Sequence, residues 1–257
     1  MLSSLQSEKK RRELNEKLIK YTLILAAAIS ILTTFGILFS ILFEAIEFFQ
    51  LRSFWYFLTG TIWSPGVANS QFGALPIFAG TFVITIIALL VAIPIGLGSA
   101  IYMSEYASPK FRDYLKPILE ILAGIPTVVY GFFAAITVAP LVVKAAAFFG
   151  LEATFNSALA SGIVMGIMII PLISSLSDDV IRAVPDSQRK AAFALGMTHG
   201  ETIKNIVIPS AMPGIISASL LALSRALGET MIVVMAAGLR PNLSWNPLED
   251  MTTVTVT

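Results

Sequence analysis

Arg225 and Glu229 stand four residues apart in a run, 214–238, that is otherwise aliphatic or small, with Ser217, Ser219, Ser224 and Thr230 as its other side-chain polar groups. If a helix begins at Ala211, Arg225 sits about 21 Å along it at 1.5 Å per residue. A guanidinium buried that deep in an apolar helix costs roughly 2.5 to 3.5 kcal/mol on insertion scales, so it must face a bundle interior, a partner or a water-filled path. Glu229, at i+4, falls on the same helix face. The guanidinium stays protonated and offers a planar fork of donors matched to an oxyanion, while a carboxylate beside it can hold the fork and compete with that anion. Ser219 and Ser224 add hydroxyls, which in membrane helices also bond their own backbone. The chemistry indicated is reversible recognition of a small oxyanion. The plainer alternative is a buried Arg–Glu pair that fixes helix packing.

A second group of residues is suited to contact rather than chemistry. The segment 177–210 is longer than a corner between two helices requires. Asp186, after Pro185, is placed to cap a short helix through Gln188, Arg189, Lys190, Ala191, Ala192 and Leu195, with Gly196 as its stop. Thr198 and Glu201 have capping-box spacing and start a second short helix ending near Pro209. Ala191, Ala192, Leu195, Ile203, Ile206 and Val207 recur at helical spacing, an apolar face that either packs beneath the chain's own bundle or meets a partner.

Several chemistries are excluded. With no Cys and a single His, His199, the chain has no disulfide framework, thiolate site or His-based metal centre. No GxxxxGK[ST] stretch is present to cradle nucleotide phosphates. No convergent acid, base and nucleophile set suggests an intramembrane enzyme, so no catalytic residue, metal or cofactor is expected.

The elements that must carry these residues are membrane helices. Of 257 residues 56% are hydrophobic and only 13% charged, and the mean hydropathy is +0.83; soluble domains carry about 25% charged residues. Five stretches are long enough for a hydrocarbon core of about 30 Å: 19–43, 75–103, 117–143, 157–176 and 211–238. Segment 1–18 is a basic N-terminal arm, 44–74 an aromatic-rich connection (Phe48, Phe49, Phe54, Trp55, Tyr56, Phe57, Trp63), and 75–257 the core. Placing the N-terminus in the cytoplasm puts Lys9, Lys10, Arg11, Arg12, Lys17, Lys20, Lys110, Arg112, Lys116, Arg182, Arg189, Lys190 and Lys204 inside, against Arg52, Lys144 and Arg240 outside. The positive-inside rule therefore selects that orientation. Five crossings leave the chain's end outside, and a sixth span beyond the sequence is expected. Gly124, Pro126 and Gly131, like Pro94, Gly96 and Gly98, mark places where helices bend or pack closely.

Three stretches resemble the phosphate-specific (Pst) ABC permeases, PstC-like subunits in particular: Arg225-Ala-Leu-Gly-Glu-Thr-Met231 is similar to RALGETM, Gly124-Ile-Pro-Thr-Val-Val-Tyr-Gly131 to GIPSVVYG, and Ile101-Tyr-Met-Ser-Glu-Tyr-Ala107 also agrees. Lys190-Ala-Ala-x-x-x-Gly196, followed after nine residues by Ile206-x-Ile208-Pro209, resembles the EAA signature of binding-protein-dependent ABC importer permeases, with Lys190 in place of Glu and Ile208 in place of Leu. The resemblance implies an all-α, MetI-like type I importer permease in the inner membrane, a non-catalytic transport subunit. It implies phosphate as cargo, a PstA-like second permease subunit, a PstB-like ATPase dimer and a PstS-like binding protein. It places Arg225, Glu229, Thr230 and Ser224 on the substrate pathway, and Lys190, Ala191, Ala192, Gly196, Thr198, Glu201, Ile206 and Pro209 in the element that couples to the ATPase. Sulfate or molybdate, also tetrahedral, and an ion-coupled phosphate carrier are the alternatives.

Overall fold

The computed structural model describes residues 2–66 and 70–257, with side chains from residue 15 onward. The side chains of Lys9, Lys10, Arg11 and Arg12, and part of the aromatic-rich connection, lie outside the described residues. The chain divides into two compact units, Met1–Phe57 and Leu58–Thr257.

The first unit holds α1 (Leu2–Leu51) and the first four residues of α2 (Phe54–Thr59). α1 is longer than the apolar stretch 19–43 on both sides, because good helix formers continue past the hydrocarbon-length segment in each direction. Its apolar side chains from Leu18 to Phe43 are exposed, as suits a helix whose solvent is lipid. Phe48, Phe49, Phe54 and Phe57 meet edge to face at centroid distances of 5.2 to 5.8 Å, a geometry that adds to their burial.

In the second unit a short hairpin, β1 (Trp63–Ser64) with β2 (Gln71–Phe72), precedes α3 (Leu75–Ile101), which widens into a π turn at Tyr102–Tyr106. There follow α4 (Pro109–Ala123), α5 (Thr127–Phe133), a π turn at Ala134–Val138 and α6 (Ala139–Phe148). Next come α7 (Ala158–Arg182), α8 (Asp186–Ala194), α9 (His199–Thr202), a π turn at Ile203–Val207, α10 (Ile208–Leu227) and α11 (Met231–Ala236). Among the described residues five helices are long and apolar enough to cross a membrane.

The third of these is not 117–143. Pro126 has no amide hydrogen and forces Ile125 out of the helical region, so the helix breaks at 124–126 and the crossing is Thr127–Phe148. α4 is separate. Ser108 caps it by accepting from the Phe111 amide, and two of its cations, Arg112 and Lys116, are fastened to the end of α7. The Arg112 guanidinium donates to both carboxylate oxygens of Asp178, at 2.6 Å from Nη2 to Oδ2, and Lys116 pairs with Asp179 at 2.5 Å. The hydrogen bond to Asp178 holds the Arg112 guanidinium above its usual pKa. α4's apolar face, Phe111, Tyr114, Ile118, Ile121 and Leu122, is exposed.

The core is the parallel pair α3 and α7 with α10 antiparallel to them. Gly162 lies against Ile87, Gly166 against Val91 and Gly96 against Ile173, so a Cβ at any of the three would come within 2.9 Å of a neighbouring side chain. Small residues let the backbones close, which is how membrane helices gain packing energy without a hydrophobic drive between them. Ser174 donates to Ser99 at 3.0 Å across the same interface.

The chain after α11 folds back onto the unit. The amides of Ala158 and Leu159, which open α7 and lack helical acceptors, donate to the carbonyls of Glu249 and Pro247. Glu249 itself accepts from Asn242 at 2.8 Å and Asn246 at 3.1 Å, and hydrogen bonds from Ser244, Asn246 and Asn242 hold its carboxyl below the usual carboxylate range. A depressed folded-state pKa contributes stability that is present above the ordinary Glu value and lost as pH falls through the lowered one. Acidification should therefore raise hydrogen exchange at the 242–249 amides before exchange in α3 or α7 changes, and simultaneous onset would count against a stabilising role for the Glu249 hydrogen bonds.

Candidate substrate pathway and coupling loop

Arg225 lies in the last turn of α10 rather than at the centre of a helix reaching Gly238. The chain leaves helical geometry at Gly228, Glu229 and Thr230 and resumes it only as the short α11. The i, i+4 relation of an unbroken helix consequently does not hold, and Arg225 and Glu229 do not pair. Glu229 is 8% exposed and turns to the far side of the break, where Oε1 accepts from the amides of Met231 at 3.1 Å and Ile232 at 3.4 Å. Those amides are orphans of the new helix start, and a carboxylate is the natural group to take them. The Glu229 carbonyl also accepts from the Thr255 hydroxyl at 2.9 Å. Glu229 therefore holds the break closed and does not compete for the guanidinium.

Arg225 is left exposed. Among the described residues no carboxylate lies within ion-pair distance of it. Its depth follows from helix packing. Gly214 abuts Val180, near the end of the 25-residue α7, and the rise from Gly214 to Arg225 is about 16 Å. That puts the α10 backbone at Arg225 close to the mid-height of the bundle. Its charge is within electrostatic reach of Tyr130, whose hydroxyl donates to the Leu122 carbonyl at 3.0 Å and bridges the break before α5. Gly131, one residue on, is where α11 crosses α5, with the Met231 carbonyl 3.2 Å from where a Cβ would stand. Ser224 is exposed beside Arg225 and Thr230 is half-buried in the break. Ser219 and Ser217 bond back to the carbonyls of Ile215 and Pro213 and are spent on their own helix.

The segment between the spans is shorter than 177–210, because α7 continues to Arg182. Asp186 is the first helical residue of α8, not its cap; Pro185 occupies that position. Gly196 ends α8 at φ +83°, a left-handed conformation that glycine adopts without strain. Thr198 and Glu201 form the capping box, the amide of each bonded to the other's side chain. Pro209 does not stop a helix: the run from His199 passes through the π turn Ile203–Val207, just before the proline, into the span. The apolar face divides. Ala192, Ile203 and Val207 are buried, Val207 with Ile181, Val184 and Ala211, while Ile206 is half-buried. Leu195, 85% exposed, remains outward with Ala191 and Lys190.

Sequence reasoning assigned Arg112 and Lys116 to topology, and Arg189 to topology and the short loop helix, whereas all three are ion-paired. The signal that could have found Arg112 and Lys116 is Asp178-Asp179, two adjacent acids at a helix end rich in cations.

Residues 92–245 match the family described as binding-protein-dependent transport system inner membrane component. The chain is 37% identical to the probable ABC transporter permease protein YqgH of Bacillus subtilis (strain 168), over 77% of this chain and 63% of that protein. It is 34% identical to the phosphate transport system permease protein PstC 1 of Mycobacterium tuberculosis, over 71% of this chain and 63% of the relative. It is 34% identical to the phosphate transport system permease protein PstC of Mesorhizobium japonicum, over 90% and 75%. The chain thus spans 63% of the length of the first two of these relatives.

Proposed function

The chain belongs to the family of binding-protein-dependent transport system inner membrane components, and from that premise we propose that it is a permease subunit of an ATP-driven phosphate importer. The observation that carries this reading is Arg225: a permanent cation at mid-height of a membrane bundle, exposed on the isolated subunit and with no acid beside it among the described residues. Lipid is an expensive neighbour for such a group. A second permease subunit enclosing a wet path along α10, with an oxyanion as the passing counter-charge, satisfies it. Ser224, exposed next to Arg225 in the chain, and Thr230, in the break, are the hydroxyls offered to the same path, and Glu229 fixes the break. Phosphate as the oxyanion is supported by the PstC relatives, since any tetrahedral oxyanion would suit the fork.

The end of the bundle carrying α8 and α9 also holds Arg112, Lys116, Arg182, Arg189, Lys190 and Lys204, which supports a cytoplasmic location for it and, with one crossing before α3, for the N-terminus. This chain contributes no hydrolytic chemistry in that reading. A PstB-like ATPase pair docks on residues 186–207, a PstA-like subunit completes the path, and a PstS-like protein delivers phosphate from outside. The exposed Leu195 supplies an apolar contact for the ATPase. Leu195→Asp should abolish co-purification of the ATPase while leaving the chain's thermal melting unchanged, and retained co-purification would remove that contact.

Reconstitution with the three candidate partners and measurement of labelled phosphate uptake with and without ATP tests the whole reading. ATP-dependent uptake that excess phosphate competes and sulfate does not is the expected result. Uptake driven by an ion gradient alone would mean a secondary carrier.

A further inference from the structure

α9 passes through the π turn Ile203–Val207 directly into α10, so a displacement of the coupling loop reaches α10 along the backbone. α3 has no such continuity with the loop, yet its foot, the π turn Tyr102–Tyr106, is gripped by both halves of it. From α8, Arg189 Nη2 donates to Glu105 Oε1 at 2.9 Å and to the Ile181 carbonyl at 3.0 Å, while Nη1 donates to the Val184 carbonyl and reaches Asp186 Oδ1 at 3.4 Å. From α9, His199 Nε2 lies 3.3 Å from the Glu105 carbonyl oxygen, and its ring stands edge-on to Tyr106 at 5.1 Å and stacks on Phe193 at 6.2 Å. The side chains of Arg189 and Glu105 are only 15% and 6% exposed. That enclosure separates the pair from exposed ion pairs, whose loss is nearly neutral, because here a removed partner leaves a charge withdrawn from water. The π turn receiving these contacts is itself a form that recurs at functional sites.

We propose that Arg189 is a positioning residue that clamps the coupling loop to the foot of α3 through Glu105, so that a stroke delivered to the loop moves α3 together with α10. The proposal rests on the reading that residues 186–207 receive the ATPase. It gives the stroke a second route to the pathway. The far end of α3 carries Gly80 against the Thr252 carbonyl and Thr81, whose hydroxyl accepts from the Val254 amide at 3.0 Å. Thr255, next in the chain, donates to the Glu229 carbonyl. α3 thus joins the coupling loop to the segment that holds the break beside Arg225.

The test uses the full complex in proteoliposomes and reads phosphate moved per ATP hydrolysed. Glu105→Ala removes the receiving carboxylate and leaves Arg189's contacts within its own loop. The ATPase should still co-purify and hydrolyse ATP, while phosphate moved per ATP falls about tenfold, within the usual range of coupling between sites. Because this chain has no cysteine, E105C with R189C in an otherwise cysteine-free complex can be bridged by a short bis-maleimide, which should restore most of the lost ratio. An unchanged ratio in Glu105→Ala, or a bridged protein that stays uncoupled, overturns the clamp. Should Glu105→Ala fail to assemble, the bridged protein decides by the same ratio. Absence of ATP-driven uptake in the unaltered complex overturns the importer reading itself.

Discussion

Arg225→Gln should lower ATP-driven phosphate uptake by about one to two orders of magnitude, since a hydrogen bond to a charged group contributes about 1.5 to 3 kcal/mol and each 1.4 kcal/mol is tenfold. The complex should still assemble and the ATPase still bind, because Arg225 is exposed and makes no ion pair with any described residue. Glu229 should respond differently. Its carboxylate accepts two amides of α11, and the carbonyl oxygen of a glutamine can accept the same bonds. Glu229→Gln should therefore retain most uptake while Glu229→Ala loses both uptake and order around 228–232. If the two residues worked as an ion pair, neutralising either would be equally damaging. Labelled phosphate uptake of the three variants in proteoliposomes separates the cases, and normal uptake by Arg225→Gln would take the guanidinium off the anion's path.

Arg112→Ala should destabilise the chain by about 3 kcal/mol, at the lower end of what removing one partner of a buried pair costs. Asp178 is 1% exposed, and after the substitution Arg182, at 3.8 Å, is the only described cation left to compensate it. The loss should appear as a lower melting temperature of the purified chain and as protease cleavage around 107–126, because α4 would retain only the Lys116 to Asp179 pair as its ionic attachment to α7. Lys116→Ala is the control. Its partner Asp179 is half exposed, at 52%, so the change should cost no more than about 1 kcal/mol. Equal effects of the two substitutions would show that burial is not what makes the Arg112 pair matter.

Gly124 to Gly131 and Arg225 to Met231 show how a motif can be legible while its geometry is not. Each stretch is flanked on both sides by apolar residues, so each reads as the interior of a span. Pro126 was a visible objection to the third span, and the crossing indeed starts at Thr127. Nothing comparable marks the second break, since Gly228 alone is tolerated within helices at about 1 kcal/mol. The break is sustained from elsewhere, by Glu229 taking the α11 amides and by Thr255 holding the Glu229 carbonyl across 26 residues of chain.

The capping box of Thr198 and Glu201 and the glycine stop at 196 were readable because each depends on bonds within a few residues. The number of crossings was readable because about twenty apolar residues are needed for each, whatever they pack against. Arg225 was likewise identifiable as exceptional, because the cost of a guanidinium in an apolar run is set by local composition. Folding alone decided which carboxylate meets which cation. Arg112 with Asp178 and Arg189 with Glu105 are separated by 66 and 84 positions, and such pairing depends on which helix ends come together. For the same reason Arg225 and Glu229 do not meet: a spacing of four residues specifies a shared face only while the helix between them persists, and here contacts from distant residues support its interruption.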